Sequence, residues 1–532
     1  MNRRHFMQGA AAVSVSTLLN YVNSAPGAEG DRPRPTPRGA KSWLFWDLWH
    51  FDRFDQLVLC QGEATWRPEG TYIDPLMFGH NSWPTVQRDP QTKRWRMWYS
   101  TAWKPFTLMV AESDDGIRWH PSPQPKIQPP GKKLAPQHVF TLEDGSAGGV
   151  YLDPVARDGR PFKIFAHQQG DAVFHRARKD PNHRWHEIAR KEGSKRYMTE
   201  ELTLVSRDGL TWEIDAGGRW GQPDWHPEPP LFGFYQRDQR RHAMTVRPGW
   251  GDRRVCIQTS EDCQHWSGPE LLLQPDALDA ELLQHYGMPT FPYDIYYVGL
   301  LWIFHSSDAE PLRSFNQFVG PIDCQLTFGY DGNRFTRGPR RPLVPRNRDG
   351  EHGCAVVQPS CLVETENEIR IYSGAGKIMH GLSRSAENAR KRQLFAITQH
   401  TLRKDGFMYL RPRGDWGRFL SKPMTLNRTG LTMNAEAPFG EICYQITDLE
   451  SRPVKGFTFE ECIPVRDASS FNHPLAWREA QLDTLVHKVF RLEVRLRNAR
   501  LYSIRGDWHF LDAQDRWMLD DNKPINTTLF DH

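Results

Sequence analysis

Residues 84–119 read PTVQRDPQTKRWRMWYSTAWKPFTLMVAESDDGIRW, and four short strands are legible in them. TVQR meets an Asp-Pro turn, WRMWYS follows, LMVAES comes after a loop, and an Asp-Gly turn leads into IRW. Each run is rich in β-branched or aromatic residues and is bounded by turn formers, the pattern of consecutive hairpins. A four-stranded meander cannot bury both of its faces alone, so a unit of this kind is expected to recur.

Further copies follow. The second is GGVYLD, FKIFAHQ, LTLVSR, Asp208-Gly209 and LTWEID; the third is LFGFYQR, HAMTVR, VCIQTS, Asp262-Cys263 and QHWSG. The fourth is YDIYYVG, LLWIFHS, CQLTFGY, Asp331-Gly332 and RFTRG. A fifth, less regular, is SCLVETE, EIRIYSGAG, LFAITQHTLR, Asp405-Gly406 and FMYLRP. The turn aspartates Asp115, Asp208, Asp262, Asp331 and Asp405 lie 93, 54, 69 and 74 residues apart. Such unequal spacing argues against a tight solenoid and for radially arranged sheets joined by loops of varied length, a five-bladed β-propeller. The turn chemistry is physical: Gly tolerates positive φ, and Asp bonds back to nearby N–H groups. Cys263 stands where the other turns have Gly. The aromatic three residues further on (Trp119, Trp212, Trp266, Phe335) is placed to pack on a neighbouring sheet.

Outward from the repeats, residues 1–28 carry Arg3-Arg4 ahead of a mildly apolar Ala-rich run, which reads as a twin-arginine-type export signal. The expected location is therefore periplasmic or extracellular. Residues 29–41 read as a flexible leader, 42–412 as the propeller and 413–532 as an appended β-sandwich of longer alternating strands. SWLFWDLWHFD (42–52) either closes the ring by pairing with the last blade or packs beneath it, and 54–83 reads as loop-rich. The sandwich gathers no exposed aromatics, so it reads as a buttress ahead of a carbohydrate-binding unit. Helix is expected to be scarce.

Composition narrows the partners. The chain has 532 residues and a formal charge of +4, which falls to +2 once Arg3 and Arg4 leave with the signal. That near-balance argues against a nucleic-acid backbone as partner, and no apolar run approaches membrane-spanning length. Eight cysteines show no CxxC and no finger spacing, and the 21 histidines no HxH or HExxH, so no metal and no cofactor is expected. The oligomeric state is left open.

Through RWRMWYS, AESDDGIRW, LVSRDGLTW and QTSEDCQHW, across about residues 80–400, the chain resembles the five-bladed propeller glycosidases of glycoside hydrolase families 32, 43 and 68. The following RKDGFMYL and NARLYSI are similar to family 32-like proteins with a C-terminal sandwich. The resemblance implies carboxylates around a central funnel serving as base or nucleophile, stabiliser and acid. The motifs depart from that pattern: Arg88-Asp89-Pro90 lies after an inner strand, so Asp89 reads as a turn residue, and Glu461-Cys462 falls outside the propeller.

In a propeller the loops entering each inner strand meet at one mouth. Glycosidic cleavage needs one protonated carboxyl and one carboxylate, about 5–5.5 Å apart for retention and 6.5–9.5 Å for inversion. The candidates are Glu228 as acid, Asp144 as base or nucleophile, beside the small residues of GSAGG, and Asp224 as orienting or stabilising group. His80, Asn81, Trp83, His167, Arg247, His305, His352 and His380 are the candidates for holding sugar. The expectation is thus an all-β, exported enzyme hydrolysing glycosidic bonds of a poly- or oligosaccharide, with a non-catalytic glycan-binding propeller as the alternative.

Overall fold

The computed structural model describes residues 39–101, 105–122, 137–191, 198–220, 227–248, 253–307, 318–382, 386–511, 515 and 517. The export segment 1–28 and the leader up to residue 38 lie outside them.

Five blades follow one another along the chain, the fourth and fifth joined in one sheet by a parallel bridge between Ile322 and Val356. Blade one comprises Thr85–Arg88, Trp95–Ser100, Phe106–Ser113 and His120–Pro121. Blade two has Gly145–Ala147 and Tyr151–Leu152 as its inner edge, then Phe162–Gln169, Thr199–Ser206 and Glu213–Trp220. Blade three is Pro227–Gln236, Arg241–Pro248, Val255–Ser260 and Glu270–Leu273. Blade four sets Leu283–Gly287 and Thr290–Tyr293 on Tyr296–His305, followed by Ile322–Gly329 and Thr336–Val344. Blade five runs Val356–Glu364, Glu368–Gly376 and Phe395–Arg403, and its fourth strand is Thr65–Tyr72 from the beginning of the chain.

The sheets close into a ring through contacts between successive inner strands. A Cβ on Gly149 would meet Thr85 and the Trp83 carbonyl, and one on Gly148 would lie 1.6 Å from the Leu231 carbonyl oxygen. Thr245 Oγ1 donates to the Met288 carbonyl, Ile322 N to that of Ala355, and Ser360 Oγ to that of Pro84. Blades one to two, two to three, three to four, four to five and five to one are thereby joined, and the molecule is a five-bladed β-propeller. The GSAGG glycines serve close approach of backbones: their Cβ positions are filled by neighbouring blades rather than open to a ligand.

The aspartate turn between third and fourth strands recurs in four blades; in blade four Asp331 Oδ1 accepts from the Asn333 and Arg334 N–H groups, and in the other three a serine joins the aspartate. Asp115 Oδ1 accepts from the N–H groups of Ile117 and Arg118, Asp208 Oδ1 from Leu210 and Thr211, and Asp262 Oδ1 from Gln264 and His265. A serine two residues earlier, Ser113, Ser206 or Ser260, accepts from the backbone N–H at the left-handed position. Gly116, Gly209 and Gly332 occupy that position with φ of 70°, 73° and 72°, and Cys263 does so with φ 62°. The aromatics pack backwards on the preceding blade, as Trp119 on Tyr372 and Trp266 on Phe165 show, with centroids 6.0 and 4.9 Å apart. Asp405-Gly406 is different. Asp405 is buried and accepts from the Tyr293 and Ser503 hydroxyls, and the chain passes into Met408–Pro412, outside the fifth blade.

The C-terminal residues build one nine-stranded sheet, not the two separate sheets of a simple sandwich. Its centre is the 16-residue strand Thr432–Thr447. The first half of that strand pairs with Arg500–Gly506 and the second with Arg491–Arg497, with a bulge between Ala437 and Glu441. Two arms diverge from there: Arg500–Gly506, Met408–Pro412 and Leu57–Gln61 on one side, and Arg491–Arg497, Trp416–Ser421 and Phe51–Asp55 on the other. Bulges bend a strand and let it serve two layers. Lys41–Leu44 also pairs with Arg500–Gly506, so the aromatic opening segment belongs by hydrogen bonding to this sheet. Trp43 packs on Phe419 and Phe510, while Trp46 stacks on Phe328 of blade four at 5.2 Å.

Among the described residues helix is confined to short pieces. The main one is an insertion in blade two, Asp171–Lys179 and His186–Lys191, which contributes to the 93-residue interval. Among the described residues no helix is long and apolar enough to cross a membrane.

Candidate active site at the propeller mouth

Four blades bring polar groups together over an aromatic floor. Trp83, Phe232 and Trp302, from blades one, three and four, pack with centroids 5.5–6.2 Å apart, and Tyr286 lies 6.3 Å from Trp302. Trp83 Nε1 donates to Gln358 Oε1 of blade five, which ties the floor across the axis. Trp83 is thus a packing residue of the plug.

Above this floor, Glu228 and Arg247 face each other as cross-strand partners, and Arg247 Nη2 donates to Glu228 Oε2 at 2.9 Å. The glutamate side chain is 45% exposed and the arginine 7%. Arg247 and Arg253 both lie over the Tyr286 ring, at 5.0 and 5.3 Å from its centroid, a cation–π arrangement. His380 meets the same ring edge-on at 4.8 Å. His380 Nδ1 is 3.1 Å from His80 Nε2, a single shared proton's distance. Burial pushes His80 down to about 4; burial, then His80, Arg253 and Arg247 hold His380 well below its ordinary range. Both rings are therefore neutral near pH 7. Asn81 is half-buried next to His80.

The remaining described candidates have other partners. Asp144, with φ 53°, sits in the turn before blade two's inner strand and accepts from Ala172 N at 3.3 Å, at the start of the helical insertion. Among the described residues no hydrogen bond or ion pair joins it to Glu228. Asp224 lies outside the described residues. His167 pairs with Glu201 at 3.5 Å, His305 with Asp323 at 2.9 Å, and His352 with the Gln393 carbonyl at 2.8 Å. Burial lowers the His352 pKa, which suits a structural imidazole.

Two sets of residues escaped the sequence reading. Arg253 falls in GWGDRRV, a run of sequence with no alternation and no motif. Glu200 and Glu201 open the apolar strand Thr199–Ser206, a signal that buried acids at a strand end could have given. Glu201 is fully buried and receives Arg184 Nη2 at 3.0 Å; Glu200 receives Arg176 Nε at 2.8 Å. Both arginines come from the helical insertion, so the two glutamates fasten it to the blade.

For metals, one group among the described residues offers three ligand types together: Asp153, His242 and Cys263, with ligand atoms within 4.8 Å. Lys163 Nζ already lies 3.4 Å from Asp153 Oδ2, and the Tyr151 hydroxyl 2.9 Å from His242 Nδ1. Burial pushes the Cys263 thiol up, keeping it protonated. The lysine thus holds the cation's place. A cleft of about 640 Å³ lies instead where blade five meets the C-terminal sheet, lined by Arg403, Tyr409, Phe471 and Tyr502 among others. Arg403 there is spent on Asn434 and Glu436, and Tyr502 on Glu436, so it reads as a junction.

No family model matches the chain, and no curated protein matches it in sequence. Among solved structures it is similar to an N-acetylgalactosamine deacetylase from F. plautii in complex with a blood group B trisaccharide. That match has 13% identity, covers 65% of this chain and 96% of that one, and has a TM-score of 0.39. A family 32 β-fructofuranosidase from Bombyx mori matches at 12% identity, covering 83% and 93%, with a TM-score of 0.37. A family 43 protein from Bacillus licheniformis matches at 12%, covering 82% and 99%, also with a TM-score of 0.37. These superpositions assign no role to any residue of the mouth. The ring of five blades rests on its own hydrogen bonds, and it is the fold that the resemblance to families 32 and 43 implies.

Proposed function

We propose that the protein is an exported carbohydrate-active enzyme that hydrolyses glycosidic bonds at the propeller mouth. The observation that carries this reading is Glu228: a half-exposed carboxyl, oriented by a buried arginine, beside an aromatic floor to which blades one, three and four contribute. Arg247 holds Oε2, which leaves Oε1 to reach a glycosidic oxygen, and Glu228 is assigned the acid. Asp144 is assigned the base or nucleophile from the neighbouring blade, and Asp224 the stabilising role. His80, Asn81 and His380 are assigned the hydrogen bonds to the sugar's hydroxyls. Export rests on the Arg3-Arg4 segment.

The test is release of reducing sugar from a panel of poly- and oligosaccharides by the wild type, and its loss in Glu228→Gln with unchanged thermal unfolding. Turnover unaffected by that substitution removes Glu228 from the chemistry. Binding of glycans without turnover by the wild type establishes the non-catalytic alternative.

A further inference from the structure

Away from the mouth, the C-terminal sheet brings two free cysteines together beside an arginine. Cys443 lies on the central strand Thr432–Thr447, directly opposite Arg495 of Arg491–Arg497, so thiol and guanidinium stand on one face of the sheet. On its other edge the central strand pairs with Val465–Pro474, and Ile442 opposite Val465 ends that ladder. Cys443 is one residue beyond this last pair, and Cys462 is three residues before it, where the loop 448–464 returns to the strand. The returning turn is fixed in place. Cys462 N donates to the Thr458 carbonyl, Cys462 bridges to Trp477, and the Tyr444 hydroxyl donates to the Ile463 carbonyl at 2.5 Å. Cys462 Sγ lies 3.2 Å from the Phe459 carbonyl oxygen, and the Arg495 guanidinium 4.3 Å from the centre of the Phe459 ring. The two thiols hydrogen-bond to each other inside this cluster.

The pair is chemically unequal. The hydrogen bond from Cys462 and the charge of Arg495 hold the Cys443 thiol below its ordinary range against burial, and Cys462, the donor, moves the other way. Glu441, the carboxylate on the same strand, is engaged by Arg466 and Arg497 at 2.6 and 2.7 Å. A thiol favoured as thiolate, with a protonated thiol against it, has the arrangement of an attacking and a resolving cysteine. We propose that Cys443 and Cys462 are a disulfide-forming pair that closes the loop 448–464 onto the central strand when the protein meets a disulfide oxidant. Cys443 sulfur attacks one sulfur of the oxidant, which breaks the oxidant's S–S bond and expels one thiolate. Cys462 sulfur then attacks Cys443 in the mixed disulfide and expels the second. The two thiol protons end on the two expelled thiolates, so two electrons and two protons pass to the oxidant. At 5% and 4% exposure the thiols are reached as the loop opens, and most of its residues are at least half-exposed, as in segments that open locally. An exported chain meets such oxidants. The inference is independent of the chemistry at the mouth.

The experiment equilibrates the full-length protein with oxidised and reduced glutathione, traps the remaining thiols with N-ethylmaleimide in denaturant, and digests with trypsin without reduction. Cleavage after Lys455 separates Cys443, in peptide 429–455, from Cys462, in peptide 456–466. The expected result is that the two peptides are recovered joined, come apart on reduction, and account for a loss of two thiols per chain. Cys462→Ser should leave Cys443 carrying glutathione as a mixed disulfide, whereas Cys443→Ser should leave Cys462 a free thiol. That contrast reports which sulfur attacks, which proximity alone would not produce. A dithiol reductant should lower the melting temperature of the oxidised wild type by a few degrees and leave both serine variants unchanged. Recovery of the two peptides apart, each alkylated, overturns the inference. Linkage of either peptide to a third cysteine overturns it too.

Discussion

Blade two buries Glu200 and Glu201 against arginines carried in by its own helical insertion, whereas blade three buries Arg247 with, among the described residues, one carboxylate and two N–H groups without an acceptor. Both walls take charge out of water at the same end of the ring. On the blade-two wall each acid is answered by a cation of the chain, so its charges fasten structure. On the blade-three wall Arg247 meets a single carboxylate among the described residues, and that carboxylate is half-exposed. What separates a fastening pair from a working one is whether one of its members reaches solvent.

The largest effect should be on chemistry. Glu228→Gln is expected to lower turnover on the order of 10²–10⁴-fold, the contribution typical of a general acid, with little change in urea unfolding because the side chain is half-exposed. Glu201→Ala should do the reverse: about 3–5 kcal/mol lost in urea unfolding, because Arg184 and His167 are left beside an empty partner position. Comparable stability losses in both variants would erase the contrast between the walls.

Gly148→Ala probes the seam between the two blades. Its Cβ would fall 1.6 Å from the Leu231 carbonyl oxygen, a backbone atom that cannot swing aside. A loss of about 1–3 kcal/mol is expected in thermal or urea unfolding. A stable variant would mean that the blades can spread at the axis.

The smallest effects are in pH. Burial holds His80 at about 4, so the folded state resists its protonation while the unfolded chain accepts it near pH 6.5. The contribution is whole above about 6.5 and is lost as pH falls through the window down to about 4. His80→Gln should flatten that part of the stability profile. Asp279 works in a lower window. Burial alone would raise it, but hydrogen bonds and charge from Arg337 and Arg340 prevail and keep it at about 2. Its contribution is complete above about 4 and fades as pH falls toward 2. Asp279→Asn should remove the lower step and leave the upper one.

The sequence made the ring legible because its turns are local chemistry. Asp115, Asp208 and Asp262 bond within three residues of themselves, so nothing distant is needed to see them. The fifth repeat misled because Asp405 resembles those aspartates in sequence while its partners, Tyr293 and Ser503, lie about a hundred residues away on either side. The mouth was legible only in part for the same reason. Glu228 and Arg247 were both visible as candidates, but their pairing, and the approach of Arg253 to Tyr286, are set by register and ring closure. Asp144 stood out beside small residues, and the glycines among them prove to be closely packed.

The closing strand of blade five has a consequence in time. Arg67 on Thr65–Tyr72 reaches Gln399 across 332 residues of sequence, so at roughly 5–20 residues per second the strand waits on the order of tens of seconds after synthesis for its mate. Throughout that delay it is a lone β-edge, open to any other nascent chain. TWRPEGTY answers the hazard with two charges, a proline and a glycine, the residues that discourage illicit strand pairing. The same composition made the segment look like a loop: a strand that must stay single until the ring is complete is written to avoid resembling one.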